Sequence, residues 1–256
     1  RVIGYRIAAQ TRCFAEPIKK ALHTAARLQC DGVQIDVRSE LPQSELSRTG
    51  VRQLRKILAD LNLRVGSVAF PTRRGLASLE DLELRLEATR GAMQLASQIE
   101  ARVLVCNLGH LPSEPATLIE VLTSLATHGN RLGVQLAAQA ASTVPQELAE
   151  FIASLPEGTL ALDLHPAQLI ANGQSPGEFI AATGQHIAHA HATDGVYDLA
   201  SGHGVEVELG RGSVDFPELL GSLEEFGYQG WLTIERRASR QPIEDIGNAV
   251  KFLRSL

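Results

Sequence analysis

Two patterns of apolar and polar residues alternate along the whole chain. Short, nearly continuous apolar runs, such as VIGYRIAA at 2–9 and GVQIDV at 32–37, predict strands that are buried on both faces. Between them lie longer stretches, such as EPIKKALHTAARLQ at 16–29, where apolar residues recur every three or four positions and place Ile18 and Leu22 on one face. That spacing is typical of an amphipathic helix.

The pattern contains eight predicted strands, and a predicted helix follows each of them. The strands occupy residues 2–9, 32–37, 63–70, 102–108, 132–138, 158–164, 186–192 and 230–235. Strands that alternate with helices pair in parallel, and eight such units in about 250 residues are typical of a (β/α)8 TIM barrel. An open doubly wound sheet is the alternative, but IAAQTRCF at 7–14 lacks the glycines of a phosphate-binding loop. We therefore predict one barrel domain over residues 1–256.

In such a barrel the functional site lies where the strands end, and alternate residues of each strand face the interior. On the sixth strand this alternation places Asp163 and His165 inside, with His165 at the rim and Asp163 one layer deeper. It also places Gln139, His191 and Glu235 at the rim of the fifth, seventh and eighth strands. A purely structural barrel would carry Val, Ile or Leu there, so these polar residues are candidates for chemistry.

Composition and charge narrow the class of ligand. The chain has 256 residues and a formal net charge of −5, which argues against binding to nucleic acid or to an anionic membrane. No apolar run approaches the ~20 residues of a membrane span. We therefore expect a small-molecule substrate, no nucleic acid, no membrane and no nucleotide cofactor, since a lone Gly-x-Gly is weak evidence for one. The sequence leaves a homo-oligomer open.

Three cysteines bear on the compartment. Cys13, Cys30 and Cys106 are widely spaced and odd in number, which indicates neither a disulfide framework nor a CxxC metal site. A reducing, cytoplasmic location is therefore expected. Because the sequence begins at Arg1 rather than at a methionine, a leader segment before that residue stays open.

The last third of the chain resembles a known family. GRGSVDFPELLGSLEEFGYQGWLTIE at 210–235 is similar to the closing signature of the xylose isomerase-like barrels, and AHAHATDG at 188–195 resembles their strand-seven His followed by an Asp. That superfamily includes sugar phosphate isomerases and epimerases, inosose dehydratases and the endonuclease IV type of DNA repair enzyme. The resemblance implies a TIM barrel that acts on a carbohydrate-like substrate.

The resemblance also implies a metal site. Members of the family commonly hold one divalent metal ion with Glu, Asp, His and Glu on strands five to eight. The matching positions here are Gln139, His165, His191 and Glu235, because Pro166 fixes the register on strand six. One carboxylate in place of three weakens a site for hard ions such as Mg²⁺ and Mn²⁺ but leaves ligands suited to Zn²⁺ or Fe²⁺. Either one ion (Zn²⁺, Mn²⁺ or Fe²⁺) held by Glu235, His191 and His165 is expected, or an empty site in which these side chains pair directly.

Proton transfer next to a carbonyl needs an acid and a base with suitable pKa values. The resemblance implies two Glu residues in these roles, but Gln139 does not titrate. We therefore assign the catalytic roles to Glu235, His165 and His191. The remaining candidates are substrate-binding residues near the ends of strands or in the loops that follow them: Arg38, Arg73, Arg74, Asn107, His110, Gln139, Gln168, Asp194 and Arg236.

The arginines and Asp194 lead to two further predictions. The arginines form guanidinium forks suited to phosphate or carboxylate, so an anionic substrate is expected. Asp194 opens the loop DGVYDLASGHGVEVELGRG at 194–212, whose length and glycine content are typical of an active-site lid.

The leading hypothesis is an isomerase or epimerase that acts on a small polyhydroxylated, sugar-like or sugar phosphate substrate. The alternative is a non-catalytic barrel that binds a sugar or a partner and has lost the metal site. An endonuclease IV-type enzyme is the third reading, and the missing Glu and Asp ligands and the acidic charge argue against it. Fold alone does not decide among them.

Overall fold

A closed barrel of eight parallel strands forms the centre of the computed structural model, which describes residues 4–42, 47–198 and 202–256. The described residues form these strands: β1 (Arg6–Gln10), β2 (Gly32–Asp36), β3 (Arg64–Ala69), β4 (Val103–Asn107), β5 (Gln135–Gln139), β6 (Ala161–Leu164), β7 (Ile187–Ala192), β8 (Asp194–Asp198), β9 (His203–Val207) and β10 (Trp231–Ile234). All except β8 and β9 belong to the barrel. Since β1 pairs with both β2 and β10, the sheet has no edge, and the (β/α)8 prediction is confirmed over the open-sheet alternative.

Helices surround this barrel. They are α1 (Ile18–Arg27), α2 (Arg48–Asp60), α3 (Leu82–Gln98), α4 (Ala116–Leu132), α5 (Pro145–Ala153), α6 (Pro166–Ala171), α7 (Pro176–Thr183), α8 (Phe216–Glu225) and α9 (Pro242–Ser255). Eight of them follow the predicted helical segments, whereas the short α6 directly after β6 was not predicted. Its six residues are too few to show a helical period.

Side chains of β6 alternate between the apolar core and the barrel interior as the sequence predicted. Leu162 and Leu164 are fully buried in the apolar core, which also contains Phe179 of α7. Asp163, between the two leucines, is also buried but bonds to side chains of neighbouring barrel strands. The strand register shifts between Leu162 and Asp163, and again on β2 between Val33 and Gln34, so both irregularities lie at residues of the site described below.

Trp231 fills the end of the barrel opposite the site. An added Cβ at either Gly32 or Gly66 would lie 2.7 Å from its ring, so β2 and β3 can pass the indole only as glycine. Arg6 stacks its guanidinium over the same ring, 4.7 Å from the centroid. Trp231 is therefore a core residue.

The glycine-rich segment after β7 differs from the expected open loop. β8 and β9 pair as an antiparallel hairpin, and the hairpin packs on α6 so closely that a Cβ at Gly204 would lie 2.6 Å from the Cα of Ala171. Residues 199–201 of this segment lie outside the described part of the chain, as do residues 2 and 3 of the first predicted strand. Within the described residues, no helix is both long and apolar enough to cross a bilayer.

The three cysteines are free thiols. Burial raises the pKa of Cys13, Cys30 and Cys106 to about 12, so each thiol is protonated at neutral pH. They are accordingly small packing residues rather than nucleophiles.

Candidate active site

Asp163 is the centre of a buried hydrogen-bond network inside the barrel. Its carboxylate accepts from His189 Nδ1 at 2.6 Å, from His191 Nδ1 at 2.9 Å and from Gln139 Nε2 at 2.8 Å. The strand register brings these groups together, because Asp163 of β6 lies opposite His189 of β7. The sequence placed Asp163 one layer below the rim, and the structure confirms that position.

Electrostatics keep Asp163 ionised. Burial by itself raises the pKa of this carboxyl, but His191 and His189 overcome that effect and hold the pKa well below its usual range. Burial lowers the pKa of His191, and the bond to Asp163 only partly offsets the effect. The stable state is therefore an ionised Asp163 that accepts the Nδ1–H of a neutral His191. His191 Nε2 lies 3.1 Å from Gln34 Oε1 at the floor of the barrel mouth.

His189 is a structural member of this network. Its Nδ1–H donates to Asp163, and its Nε2 lies 2.9 Å from Ser67 Oγ and 2.8 Å from Thr233 Oγ1. Ser67 Oγ accepts from Gln34 Nε2, so its own hydroxyl proton is free to donate to His189. Both ring nitrogens of His189 are thus satisfied below the mouth.

Glu235 follows the end of β10 and is almost completely buried. His165 Nε2 lies 3.2 Å from its Oε1, and Gln10 Nε2 donates to its Oε2 at 2.7 Å. Arg237 spans both oxygens, with Nε 2.8 Å from Oε1 and Nη2 3.0 Å from Oε2. Burial alone raises the pKa of Glu235, but the hydrogen bond from His165 and the electrostatic effects of His165, His191 and, least of the three, Arg237 hold it at about 2.

His165 is oriented by its role at the start of α6. It is the N-cap residue, Pro166 occupies the first helical position, and the backbone N–H of Gln168 donates to His165 Nδ1 at 3.3 Å. Thr193 Oγ1 lies at the same distance from that nitrogen. Since Nδ1 accepts from Gln168, the ring proton of His165 belongs on Nε2, which points at Glu235.

A polar cavity of about 340 Å³ opens above this network at the carboxyl ends of the strands, and we call it the mouth cavity. Its lining includes the side chains of His191, Glu235 and Arg237. The other polar lining residues carry amides or hydroxyls, and these are Gln10, Gln34, Thr72, Asn107, Gln139, Ser142, Gln168 and Asn172. Such groups both donate and accept hydrogen bonds, as a ligand with several hydroxyls requires.

Of the nine predicted substrate-binding residues, three line the mouth cavity and six do not. Asn107, Gln139 and Gln168 line the cavity. Gln139 is also held by Asp163, and Asn107 Oδ1 accepts the N–H of Gly109. His110 lies on the exposed loop after β4, outside the lining.

The expectation for Arg236 needs a correction. Its guanidinium bonds to Glu206 at 2.6 Å and to Asp245 at 2.9 Å, which anchors the β8–β9 hairpin to α9. The next residue, Arg237, is the one that reaches Glu235. Consecutive residues after a strand point to opposite sides, and the sequence could not say which of the two arginines faced inwards.

Asp194 is also corrected, from a substrate contact to a structural anchor. It is fully buried, and its carboxylate accepts the backbone N–H groups of Gly195, Gly210, Gly212 and Val214 at 2.8 to 3.1 Å. A Cβ at Gly212 would lie 2.1 Å from Asp194 Oδ1, which explains one glycine of the Gly-x-Gly pair. The motif therefore closes a turn around a carboxylate.

Arg38, Arg73 and Arg74 lie outside the mouth cavity, in the wall of a neighbouring cavity of about 440 Å³. Thr72 lines both cavities. Arg38 donates to the carbonyl of Pro71, and Arg74 pairs with Glu80 at the surface.

Sequence reasoning did not assign several functional residues. Gln10 on β1 and Ser67 on β3 bond within the network but stand in runs of small or apolar residues without any motif. Asn172 follows a helix that was not predicted. Strand alternation places Gln34 inwards, and that is the one signal that could have assigned it.

A family model described as the xylose isomerase-like TIM barrel matches residues 22–256. The chain belongs to this family. An uncharacterized protein of Methanocaldococcus jannaschii is 25% identical over 183 residues, which span 63% of this chain and 60% of that protein. The chain thus aligns with less than two thirds of the curated relative.

Solved structures of the xylose isomerase-like family have the same fold. A xylose isomerase domain protein from Planctomyces limnophilus has a TM-score of 0.83 at 24% identity, covering 91% of each chain. A xylose isomerase-like TIM barrel protein from Mycobacterium smegmatis in complex with magnesium has a TM-score of 0.77 at 20% identity, over 99% of this chain and 98% of that chain. A D-psicose 3-epimerase studied with D-fructose has a TM-score of 0.78 at 15% identity, over 98% of each chain.

The family implies a metal ion, and two groups of side chains can be tested for it. Asp163, His189 and His191 bring ligand-type atoms within 4.8 Å of one another. However, His189 Nδ1 lies only 2.6 Å from Asp163 Oδ1, whereas two ligands of one tetrahedral zinc ion are about 3.3 Å apart. The contact is a hydrogen bond from an N–H that a metal would have to displace.

The four positions that match the family's ligands fit a metal only in part. His191 has the right arrangement, with Nδ1–H on a carboxylate and Nε2 towards the mouth. His165 does not, since its Nε2 carries a proton, and Gln139 is turned to Asp163. Glu235 is already neutralised by the Arg237 fork. The residues present therefore do not fit the usual four-ligand metal, and no chemical step is derived through one.

Proposed function

We propose that this protein is an isomerase or epimerase that moves a proton next to the carbonyl group of a small, carbohydrate-like substrate. The observation that carries the proposal is the row Asp163–His191–Glu235 at the floor of the mouth cavity. It combines a buried ionised carboxylate, a neutral imidazole and a second carboxylate next to a space lined by amides. Membership in the family and the epimerase with the same fold support the reaction class.

His191 is the proton acceptor in this proposal. Asp163 holds its ring and fixes the proton on Nδ1, so that Nε2 is the basic nitrogen, as in other carboxylate–imidazole pairs. Gln34 Oε1 lies 3.1 Å from Nε2 and has to move before a substrate C–H reaches it. Its lowered pKa keeps it neutral and competent as a base at neutral pH. The C–H proton passes to Nε2 while the electron pair moves into the carbonyl group to form an enolate.

Glu235 has a supporting electrostatic role. With a pKa of about 2 it stays ionised and is a weak base. Its Oε2 lies 3.7 Å from His191 Nε2, where a negative charge stabilises the imidazolium that forms when His191 takes the proton. Return of that proton from Nε2 to the neighbouring carbon, with transfer of the hydroxyl proton between the two oxygens of the enediolate, gives the isomer. Epimerisation instead requires a proton from solvent on the opposite face, while His191 releases its own proton to solvent.

Arg237 supplies positive charge at the mouth. It lines the cavity, and its side chain is 55% exposed beside the buried Glu235. A guanidinium at this position stabilises the oxyanion of an enolate. In other sites a divalent ion stabilises the oxyanion as a Lewis acid. We infer that the reaction of this chain does not depend on a metal ion.

One observation favours a second function, in which the barrel binds a sugar but does not catalyse its conversion. Both oxygens of Glu235 are occupied by Arg237, Gln10 and His165 before any substrate arrives. A site saturated by its own hydrogen bonds can be a stable structural core with a binding surface above it.

Deuterium exchange from solvent separates these functions. The protein, treated with a chelator, is incubated in D2O with a panel of aldoses and ketoses, and C–H exchange is followed by NMR. Exchange in the wild type that falls at least about 10²-fold in His191→Gln supports the proposal. His23→Gln, an exposed histidine of α1, is the matched control and should exchange like the wild type.

Two results would contradict the proposal. Saturable sugar binding without exchange, with or without added Zn²⁺ or Mn²⁺, assigns a binding function. Exchange that appears only after one of these ions is added refutes metal independence and leaves the proton transfer standing.

A further inference from the structure

The cavity beside the mouth has a wall rich in arginine, and we call it the arginine cavity. Its cationic lining residues are Arg38 after β2, Arg73 and Arg74 in the loop after β3, and Arg85 on α3. Among the described residues near them, Asp81 lines the same cavity and Glu80 pairs with Arg74. The described wall therefore has more positive than negative charge, although the whole chain is acidic.

Arg85 brings a largely buried guanidinium to the wall of this cavity. The residue is only 8% exposed, yet it lies on a surface helix. Its Nη1 and Nη2 groups donate to the carbonyls of Glu80 and Ser78, while the buried Nε–H has no partner among the described residues. A buried guanidinium that is bonded only to two neutral carbonyls keeps its positive charge, which an anion in the cavity would compensate.

The positively charged side chains of the cavity wall also repel one another. Burial lowers the pKa of Arg85, and the neighbouring positive charge of Arg74 lowers it further, which Asp81 and Glu80 only partly offset. Arg73 is exposed, and Arg38 uses one Nη group on the carbonyl of Pro71. An anion between these side chains would relieve the repulsion and accept charge-assisted hydrogen bonds.

The rest of the cavity wall is apolar. Phe70 and Val37 are buried at its base, and Leu84 on α3 is 76% exposed at its rim. Inorganic phosphate alone would leave this apolar surface uncovered. An organic anion would use both parts, with its charge on the guanidiniums and its carbon skeleton against Phe70 and Leu84.

We propose that the arginine cavity binds an organic anion, a phosphate or carboxylate group on an apolar body, and that this group is the anionic end of the ligand whose hydroxylated part lies in the mouth cavity. Thr72, which lines both cavities, marks where the two parts of the ligand join. The second half of this inference rests on the proposed function, whereas the anion site itself does not.

Calorimetric titration at low ionic strength tests the site directly. Phenyl phosphate, benzoate and inorganic phosphate are the probes, so that the phosphate and carboxylate sources and the contribution of the apolar body are measured separately. We expect phenyl phosphate or benzoate to bind more tightly than inorganic phosphate. Loss of one guanidinium in Arg38→Ala or Arg73→Ala should weaken binding about tenfold or more.

Two further variants test whether the effect is specific to the arginine cavity. Arg102→Ala removes an exposed arginine before β4, at the opposite end of the barrel, and should leave binding unchanged. Arg85→Lys keeps the charge but loses the Nε–H, and it should weaken binding if the protein retains its thermal stability. Absence of saturable binding of the organic probes, or equal weakening in Arg102→Ala, would overturn the proposal.

The outcome is separable from that of the proposed function. Binding that depends on Arg38 and Arg73, in a protein that exchanges no sugar proton, establishes the anion site and removes its link to catalysis. Sugar exchange that is equal for neutral and anionic substrates and unaffected by these variants refutes the joined ligand while the isomerase activity stands.

Discussion

The guanidinium of Arg237 lies across the carboxylate of Glu235, with Nε 2.8 Å from Oε1 and Nη2 3.0 Å from Oε2. Glu235 matches the strand-eight Glu of the family's metal ligands, yet its charge is compensated by a residue two positions along the chain. A positive side chain at this point competes with a divalent ion for the same carboxylate. The Glu235–Arg237 pair therefore supports the proposed proton transfer without a metal ion.

Replacement of Arg237 by alanine should slow proton exchange by about 10²-fold, because the oxyanion loses its positive partner. The acid unfolding transition should also move to higher pH, since the pKa of Glu235 rises when a cation is removed. Arg237→Lys keeps the charge but not the fork and should lie between the two. Arg240→Ala, an exposed arginine in the same loop, is the control. Equal exchange rates in all four proteins would remove Arg237 from the mechanism.

A metal site should appear when the family's ligands are restored. The double variant Gln139→Glu/His165→Asp has three carboxylates and His191 at the four matching positions. Without metal it should be less stable than the wild type, because a carboxylate at position 139 repels Asp163, whereas the native Gln139 donates a hydrogen bond to it. Added Mn²⁺ or Zn²⁺ should raise its Tm strongly and that of the wild type little.

The fold should tolerate that change, since Asp is itself a good N-cap for α6. Metal content after dialysis is the second measurement. A wild-type protein that retains one ion per chain through dialysis would show that our assessment of His165 and Gln139 is wrong.

Asp163→Asn should destabilise the protein by about 3–5 kcal/mol, measured by urea unfolding. Asn offers one acceptor and adds an N–H2 group, which faces the Nδ1–H groups of His189 and His191 at distances where donors repel. Asp60→Asn, at the exposed end of α2, should change the free energy of unfolding by less than about 0.5 kcal/mol. A small effect at Asp163 would mean that the histidines find other acceptors.

Stability should fall in acid. The folded pKa of Glu235 is about 2 against an ordinary 4.5, so this carboxylate contributes stability above pH 4.5 that is lost as the pH falls towards 2. At about 1.4 kcal/mol per unit its full contribution is on the order of 3 kcal/mol. Asp163 acts in the same direction. His191, with a folded pKa below 6.5, favours the folded state above that pH and opposes it as acid protonates the unfolded chain.

The urea midpoint measured across this range checks the sign. It should decline below about pH 6.5 and more steeply below pH 4.5, and Glu235→Gln should flatten the lower part of the curve. A midpoint that rises on acidification contradicts the assigned protonation states.

Much of the fold is readable from the order of residues. The periods of apolar residues are local properties, so they located the eight barrel strands, eight of the helices and the inward position of Asp163, His191 and Glu235. Pro166 fixed the register of the family match on β6, whereas α6, which begins at that proline, was too short to be predicted. The family signature also depends on short-range spacing and was visible in the sequence.

Only the tertiary structure decided which polar groups pair. Gln10 bonds to Glu235 from 225 positions away, and Ser67 meets His189 from 122 positions away, distances over which no sequence period carries information. The choice of Arg237 over Arg236 and the proton position on His165 depend on side-chain rotamers and partners set by strand register. The sequence by itself determined a barrel with a polar mouth, and the packing of distant strands determined that the mouth is neutralised by its own arginine.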